Sequence, residues 1–382
     1  MRRARKGMSG TTSLTQMQLL GVASDTNVAE GYPRFAPSPA QQAIVDRFPS
    51  LLAEAYRTPY PQLESRAHAA FFHALGQASV PVGSGRILSF YSSTVATDVV
   101  GACLAHTGRR VGLVNPIIDC IPAVLRHRGL ELVPIGERRL AGPDPLAGMG
   151  DLDAVMTASP NNPTGALLSA PALRRLADAC ADRGAVLVID SCFRAFDARA
   201  QYDTYTILDE SGVEYVVVED TGKLWPTGGV KLGFVVSSAR NRLPISELAA
   251  DILLTAPPFA VAVVEAFALD MARGGLATLH ARIAGNRELL RDELAKGSVA
   301  RLADGDSRVS VSRIELPRGM SATRLWGQLL RRGVHSVPCR PFYWARPSVG
   351  ERYLRVALAR EPEVVRRAAQ AIVETLDLEA AA

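Results

Sequence analysis

The stretch Tyr215-Val216-Val217-Val218-Glu219-Asp220-Thr221-Gly222-Lys223 is an apolar run that ends in two acids, a short turn and a lysine. Its apolar part predicts a buried strand. Arginine carries most of the positive charge, and the lysines are Lys6, Lys223, Lys231 and Lys296. A desolvated lysine can lose its proton and form a Schiff base, which arginine cannot do. A lysine in a turn is otherwise usually a solvated surface residue, so the role of Lys223 depends on its neighbours.

Short apolar segments alternate with helical patterns from about residue 86 to residue 240. The predicted strands lie at 87–91, 110–115, 130–135, 154–158, 185–190, 215–220 and 233–237. The clearest helical patterns between them lie at 95–106, 119–128 and 169–183. This alternation predicts an α/β fold, in which a mostly parallel central sheet carries helices on both faces.

The regions on either side of this alternation have a different character. A helix is predicted at 62–77, and helices fill 259–298. The last part predicts a smaller α+β domain, with strands at 307–316, 334–338 and 353–358 and helices at 320–332 and 361–378. We therefore expect a disordered tail over 1–20, a segment over 21–85 that joins the small domain and the substrate site, a large domain over 86–298 and a C-terminal domain over 299–382.

Composition narrows the possible functions. The 382 residues are 48% hydrophobic, and the net charge of +5 comes partly from the basic start of the chain. The sequence contains no basic run interleaved with aromatic residues, so we expect no binding to nucleic acid. It has no apolar stretch long enough to span a membrane, and its basic start is not followed by the apolar core of a signal peptide. The odd number and scattered spacing of the five cysteines predict reduced thiols in a cytoplasm, without a metal site.

Two polar segments follow predicted strands where ligands bind to parallel sheets. Ser92-Ser93-Thr94 comes just before a helix, whose free N–H groups and these hydroxyls can hold a phosphate. An ordinary helix cap explains the same residues equally simply. Ser159-Pro160-Asn161-Asn162-Pro163-Thr164-Gly165 is a rigid turn that can aim an amide at a ligand. Simple turn chemistry is the alternative there.

Two charged residues add to these segments. Asp190 ends an apolar strand, and a buried acid needs a cation or hydrogen-bond donors. A protonated pyridine nitrogen is one such partner, and Arg194 is the structural alternative. Lys231 follows Lys223 by eight residues and is either a second cation for a phosphate or a solvated loop residue.

Taken together, these residues resemble those of the class I/II aminotransferases, the fold-type-I enzymes that depend on pyridoxal 5′-phosphate (PLP). The resemblance extends from about Gly21 to Leu378. Five elements occur in the order of the family: a phosphate loop, an Asn-Pro-Thr-Gly loop, a strand-ending aspartate, a lysine and a distal arginine.

The resemblance implies a role for each of these elements. Lys223 would form the Schiff base and then move the proton at the substrate α-carbon, while Asp190 would pair with the pyridine nitrogen. Arg355 would bind the substrate α-carboxylate in a bidentate manner. The remaining cofactor contacts would come from Asn162 at the ring 3-oxygen, and from Ser92, Ser93, Thr94 and Lys231 at the phosphate.

Family members usually place this site at a dimer interface. The resemblance therefore implies a homodimer with shared active sites, in which Tyr60 would reach the phosphate of the partner subunit. Asn27 and Gly31 match the N-terminal segment that often lines the substrate site.

Several residues depart from the family pattern. No aromatic residue follows strand 110–115, so Ile118 or Asp119 would cover the ring. Phe193 stands where a tyrosine is common and cannot donate a hydrogen bond to the ring oxygen. Thr221 replaces the usual serine context before the lysine. Cys339-Arg340-Pro341-Phe342-Tyr343-Trp344 predicts either local packing or an aromatic, cationic wall, including Tyr343, for a larger or phosphorylated substrate.

Transamination of an α-amino acid is the first functional hypothesis. The departures near the ring favour an alternative on the same scaffold: β- or γ-elimination, replacement, oxidative deamination or cyclisation of an amino acid. The arginine-rich composition links that alternative to natural-product biosynthesis only by association. A regulator with an aminotransferase-like domain is the third hypothesis, but the N-terminal stretch is too short for a DNA-binding domain.

Overall fold

The computed structural model of the chain describes residues 13–21, 24–227, 229–297 and 300–380. Its strands form a seven-stranded sheet in the order β2-β8-β7-β6-β5-β3-β4, a four-stranded sheet in the order β12-β13-β10-β9, and the pair β1-β11. The strands are β1 (Thr26–Asn27), β2 (Ile87–Phe90), β3 (Arg110–Asn115), β4 (Glu131–Gly136), β5 (Ala154–Ala158), β6 (Val186–Asp190), β7 (Tyr215–Asp220), β8 (Gly233–Ser237), β9 (Arg301–Leu302), β10 (Val311–Glu315), β11 (Val334–His335), β12 (Val337–Pro338) and β13 (Tyr353–Ala357).

The helices of the described residues range from single turns to five turns. They are α1 (Leu14–Leu20), α2 (Pro39–Asp46), α3 (Phe48–Arg57), α4 (Tyr60–Ala74), α5 (Ser93–Thr107), α6 (Cys120–His127), α7 (Glu137–Leu140), α8 (Ala170–Ala181), α9 (Thr204–Ser211), α10 (Ile245–Leu253), α11 (Pro258–Ala272), α12 (Ala277–Ala295), α13 (Ala322–Arg331), α14 (Pro347–Gly350) and α15 (Pro362–Ala380). All seven strands expected between 87 and 237 are present, so the predicted α/β fold is confirmed.

The direction of the strands in the large sheet brings their carboxyl ends to one edge. Strands β4, β3, β5, β6 and β7 are parallel, and β2 points the same way because β8 is antiparallel to both of its neighbours. The turns after β2, β3, β5, β6 and β7 therefore lie together. The amino end of the reversed strand β8 joins them there, and this is why Lys231, just before β8, can approach the same place.

The four-stranded sheet lies in the C-terminal part and is wholly antiparallel. Arg313 of β10 is directly opposite Arg355 of β13, and Val337 of β12 is on the other side of Arg355. Helices α12, α13 and α15 pack together around this sheet. The central position of β13 leaves Arg355 only 1% exposed.

Residues 13–20 correct the prediction of a disordered tail over 1–20, of which residues 1–12 lie outside the described residues. Helix α1 begins with a capping box, in which the Ser13 hydroxyl accepts from the Gln16 N–H and the Gln16 side chain accepts from the Ser13 N–H. Leu14 and Met17 are buried against the core. This burial supplies the stability that so short a helix lacks by itself.

Other differences from the prediction concern short or interrupted elements. The helical region expected over 259–298 is two helices, because the chain turns at Gly274, whose φ of 91° is in the left-handed region. The sequence patterns did not predict helices α2, α3, α9 and α10, which have between eight and ten residues each. No single helix of the described chain is long and apolar enough to cross a membrane, although the bent pair α10 and α11 passes that test when taken together.

We expect Gly233→Ala to destabilise the fold, because the added methyl group would lie 2.4 Å from the Ser92 carbonyl carbon and the Ser93 nitrogen. Overpacking against backbone costs about 2–3 kcal/mol. Urea unfolding measures the change. Gly285→Ala is the control: it lies in α12 with open space around the new methyl group, and should stabilise the protein by about 1 kcal/mol. Equal stability of the wild type and Gly233→Ala would contradict the tight approach of β8 to this turn.

Candidate active site

A cavity of about 390 Å³ opens at the carboxyl edge of the large sheet, between that sheet and Arg355 of the small one. Its volume is in the range of small-molecule sites. Most of the residues singled out in the sequence contribute to its wall. These are Gly31, Ser92, Ser93, Thr94, Ile118, Asn162, Asp190, Phe193, Lys223, Lys231 and Arg355.

Lys223 lies at the centre of the negative side of this cavity. Its Nζ is 3.4 Å from Asp220 Oδ1 and 5.2 Å from the centre of the Phe193 ring. Burial lowers the pKa of the Lys223 ammonium, but the nearby Asp220, Cys192 and Asp190 raise it more, so its net pKa is above the ordinary value. The unloaded site therefore holds Lys223 as an ammonium.

The two aspartates that end β6 and β7 differ in their partners. Asp220 is buried and accepts from the Ser93 hydroxyl at 2.5 Å and from the Gly222 N–H at 2.6 Å. Burial raises its pKa, but Lys223 and these donors reverse that effect, and the net pKa is lowered. Asp190 accepts from the Cys192 N–H at 2.9 Å, and burial keeps its pKa raised. Within the described residues no cation lies within salt-bridge distance of Asp190, although the charge of Lys223 lowers its pKa. Asp190 therefore suits a protonated ring nitrogen.

Arg194, the alternative partner for Asp190, binds elsewhere. Its Nε donates to Glu219 Oε1 at 2.8 Å, and both side chains are almost fully buried. Its other nitrogens donate to Ala200, Thr204 and Ser191. Because these bonds occupy the guanidinium group, the alternative in which Arg194 is the partner of Asp190 is wrong.

The turn from β2 into α5 forms a cradle of hydroxyl and N–H groups. Ser92 caps α5, a helix of 15 residues, and its Oγ accepts from the Val95 N–H at 3.3 Å. Lys231 approaches from the start of β8, where its Nζ donates to the Tyr32 hydroxyl at 2.7 Å. A helix N-terminus with serine hydroxyls and one lysine is suited to a phosphate.

Arg355 forms the opposite wall of the cavity. One nitrogen donates to the Ala29 carbonyl, and Nη1 donates to Asn162 Oδ1 at 3.3 Å. Its Nε is buried and has no hydrogen-bond partner in the described part of the chain. Burial lowers the pKa of Arg355 to about 10, with Cys339 and Asp119 acting in the opposite direction, so the group stays charged at neutral pH. A buried guanidinium with a free N–H is suited to a carboxylate ligand.

Four of the predicted site residues do not line this cavity. Asn27 binds the Gly21 carbonyl and the Ala29 N–H, so its amide stabilises the N-terminal turn. Thr221 is buried, and its hydroxyl exchanges hydrogen bonds with the backbone of Leu232. Both side chains bind backbone groups. Neither lines the cavity, although the sequence predicted that both would.

Tyr60 and Tyr343 are the other two. The Tyr60 hydroxyl donates to Glu64 and accepts from the Ala256 N–H at 3.2 Å, outside the cavity of its own chain. The Tyr343 hydroxyl accepts from Arg313 at 2.8 Å, and its ring stacks on Tyr353. The segment around Tyr343 therefore packs locally instead of forming a substrate wall.

Sequence patterns missed several residues that do line the cavity. Helix α1 contributes Leu14 and Gln18, and it is held over the cavity because the Leu14 N–H donates to Asp119 at 2.8 Å. Other lining residues that the sequence did not reveal include Glu30, Tyr32, Cys120 and Cys192. The capping box of α1 was a readable signal, whereas nothing in the sequence relates Tyr32 to Lys231. Burial raises the pKa of the Cys120 thiol to about 12, so it stays protonated.

The chemistry of these groups fits PLP. A lysine can bind its aldehyde, Asp190 its ring nitrogen, and the cradle at Ser92 and Ser93 its phosphate. Gly233 is part of that fit, since any side chain there would enter the cradle. No group of three or more histidine, cysteine or acidic side chains within the described ranges could hold a metal ion.

This site and fold define a PLP-dependent enzyme of fold type I. The chain belongs to the aminotransferase class I and II family, whose model matches residues 28–372. A structure of LysN, an α-aminoadipate aminotransferase from Thermus thermophilus complexed with N-(5′-phosphopyridoxyl)-L-leucine, shares the fold at 20% identity and a TM-score of 0.79, over 97% of this chain and 96% of that one.

Two further proteins have higher sequence identity to this chain. A structure of MppP soaked with the product 2-ketoarginine is 43% identical, with a TM-score of 0.90, and covers 92% of this chain and 99% of that one. Histidinol-phosphate aminotransferase from Paracidovorax citrulli strain AAC00-1 is 26% identical over 249 residues. That match spans 62% of this chain but only 64% of the relative.

We expect Lys223→Ala to lose the covalent link to PLP, because Lys231, the other lysine of the cavity among the described residues, lies at the phosphate cradle and donates to Tyr32. Reduction with borohydride, followed by mass spectrometry, measures cofactor attached to protein. Lys296→Ala is the control, since Lys296 is 65% exposed beside Glu293 and away from the site. Covalent cofactor on Lys223→Ala at the level of the wild type would exclude the assigned role.

Proposed function

We propose that this protein is a PLP-dependent aminotransferase that converts an α-amino acid into its 2-keto acid. One observation carries the proposal: the buried Arg355, which has no salt-bridge partner among the described residues, lines the cavity that also holds Lys223 and Asp190. Arg355 would bind the α-carboxylate, and this would direct the α-carbon toward Lys223. PLP, when bound, supplies an electrophilic carbonyl group and a ring that withdraws electrons from the α-carbon.

The chain's own residues would perform the proton transfer and the binding. The Lys223 Nζ would hold the proton that leaves the α-carbon, and in transamination it would return that proton on the cofactor side of the substrate nitrogen. Asp220 would hold that amine in place between the two steps. Asp190 would keep the ring nitrogen protonated, while Asn162 would orient both the ring oxygen and Arg355.

The proposed substrate is arginine or a similar cationic amino acid. The similarity to MppP, with its product 2-ketoarginine, supports this choice. Glu30 and Asp119 also line the cavity, but the Glu30 carboxylate is paired with Arg34 at 2.7 Å. Asp119 is therefore the acid that would face a cationic side chain. Among the described residues Asp119 has no salt-bridge partner, and it accepts a hydrogen bond from Leu14.

Oxidative deamination is the second candidate reaction. It is favoured by Phe193, which lies 5.2 Å from Lys223 and cannot donate to the ring oxygen as a tyrosine would. In this reaction dioxygen would take the two electrons, and water would release ammonia, giving a 2-keto acid and hydrogen peroxide. The amino acid would then need no keto acid acceptor.

The proposal includes a homodimer in the cytoplasm. The cysteines are free thiols, which agrees with a reducing compartment. Apolar side chains of α3 and the α10–α11 connection are strongly exposed: Leu52, Tyr56, Ile252 and Leu254 are 43%, 84%, 50% and 85% accessible. Exposed apolar patches mark contact surfaces. Tyr60 begins α4 beside this patch, from where it would reach the phosphate of the partner subunit.

We expect the enzyme loaded with PLP to form one equivalent of 2-ketoarginine from arginine, and to turn over repeatedly when a keto acid acceptor is added. Chromatography of the keto acid measures both. Repeated turnover without acceptor, with hydrogen peroxide and ammonia in equal amounts, would support oxidative deamination instead. The absence of keto acid with arginine and with a panel of other amino acids would contradict the proposed function.

We expect the double variant Tyr56→Asp, Leu254→Asp to be monomeric, because two carboxylates would be buried in the proposed interface. Sedimentation velocity at micromolar concentration measures the change. The variant should also bind PLP about tenfold more weakly, since it lacks the partner's contribution. Leu378→Asp is the control, being 69% exposed on α15 and outside the patch. A monomeric wild type with full activity would refute the shared site.

A further inference from the structure

Glu137 lies outside the cavity but is connected to its wall. It begins α7, directly after β4, and lines a second cleft of about 330 Å³ between the large and small sheets. Burial raises the pKa of its carboxyl group, whereas hydrogen bonds from Thr164 and Asn161 and the charge of Arg313 lower it. A half-buried acid in such a position needs an explanation, and the mechanism above does not use it.

The Glu137 carboxylate binds the active-site loop that follows β5. Its Oε1 accepts from Asn161 Nδ2 at 2.6 Å and from the Thr164 hydroxyl. The same Asn161 nitrogen donates to the Pro116 carbonyl at 2.7 Å. Asn161, which Glu137 holds, therefore links the loop after β5 to the loop after β3, which also carries Ile118.

Asn162 lies between the two residues that Glu137 holds. Its Oδ1 accepts from Arg355 Nη1, while its neighbours Asn161 and Thr164 are bound to the carboxylate. A loop held on both sides of a residue restricts where the side chain of that residue can point. The position of the Asn162 amide, and through it that of Arg355, thus depends on an acid that touches neither the cavity nor its contents.

The small sheet adds an electrostatic contribution. Arg313 faces the same cleft as Glu137, and it is directly opposite Arg355 in the sheet. Residues directly opposite in an antiparallel pair share one face. The charge of Arg313 lowers the pKa of the Glu137 carboxyl group against the effect of burial, and so favours the form that accepts from both Asn161 and Thr164.

We propose that Glu137 is a positioning residue for the reaction: by accepting from Asn161 and Thr164 it holds the Asn162 amide, and thereby Arg355, in place for the amino acid carboxylate. This inference rests on the proposed function, because it assigns Arg355 to that carboxylate. It assigns a role to Glu137, which acts on Arg355 through the Asn162 loop, and the order of motifs in the sequence does not include this residue.

The test compares three variants loaded with PLP: Glu137→Ala, Glu137→Gln and Thr164→Val. Single-turnover kinetics with arginine measures the dissociation constant of the amino acid and the maximal rate, and the absorbance spectrum reports the contact of Asn162 with the ring. Glu137→Ala should weaken amino acid binding at least tenfold, change the maximal rate less than threefold and shift the spectrum. Glu137→Gln should restore both readouts, because its amide oxygen accepts the same two hydrogen bonds.

Thr164→Val keeps the shape of the side chain and removes one donor to Glu137. It should weaken binding by a smaller factor, and the double variant with Glu137→Ala should be no weaker than Glu137→Ala alone. The matched control is Glu131→Ala, an exposed acid on β4. A Glu137→Gln variant as defective as Glu137→Ala, or additive effects in the double variant, would overturn the proposal.

The two proposals fail in distinguishable ways. A wild type that reacts with no amino acid contradicts the proposed function, while the spectral shift of Glu137→Ala still reports on the cofactor contact. A wild type that reacts with arginine, beside a Glu137→Ala variant with unchanged binding and an unchanged spectrum, refutes the positioning role alone.

Discussion

The ion pair between Lys223 and Asp220 is the constraint on which the site depends. A lone ammonium buried at the end of β7 would be costly, and Asp220 makes it tolerable only because Ser93 and Gly222 also bind that carboxylate. Those partners bring the turn after β2 against the turn after β7. The close contact between these turns also needs a glycine at position 233, because a side chain there would collide with Ser92 and Ser93. One set of contacts therefore positions both the candidate phosphate cradle and Lys223.

The opposite wall depends on a second buried cation. Arg355 lies at the centre of the small sheet, and its contacts with Ala29 and Asn162 join three separate parts of the chain. The position of Arg355 thereby depends on how the small sheet sits on the large one. Glu137 lies at that junction, where it holds the Asn162 loop and faces Arg313. In the proposed positioning role, Glu137 would influence amino acid binding through this junction although it lies outside the cavity.

The fold was largely predictable because its central strands are short apolar runs that helices separate. Such runs reveal themselves by length and composition, so β2 to β8 were located to within about a residue. Helix α1 was not predicted, although its capping box is visible, since a seven-residue helix exists only through the burial of Leu14 and Met17. The site residues at strand ends were predictable for a related reason: in a parallel sheet, the order of strands brings those ends together.

By itself, the sequence determined the α/β fold, the family, the cofactor and the residues at the carboxyl ends of the strands, because local patterns and the order of motifs carry this information. Only the tertiary structure decided which side chains are free to act. In the folded chain, the side chains of Asn27 and Thr221 bind backbone groups, and Arg194 binds Glu219. Lys231 donates to Tyr32, and Asn161 donates to Glu137. These outcomes depend on contacts between residues up to 199 positions apart, and no local pattern records which buried donor meets which acceptor.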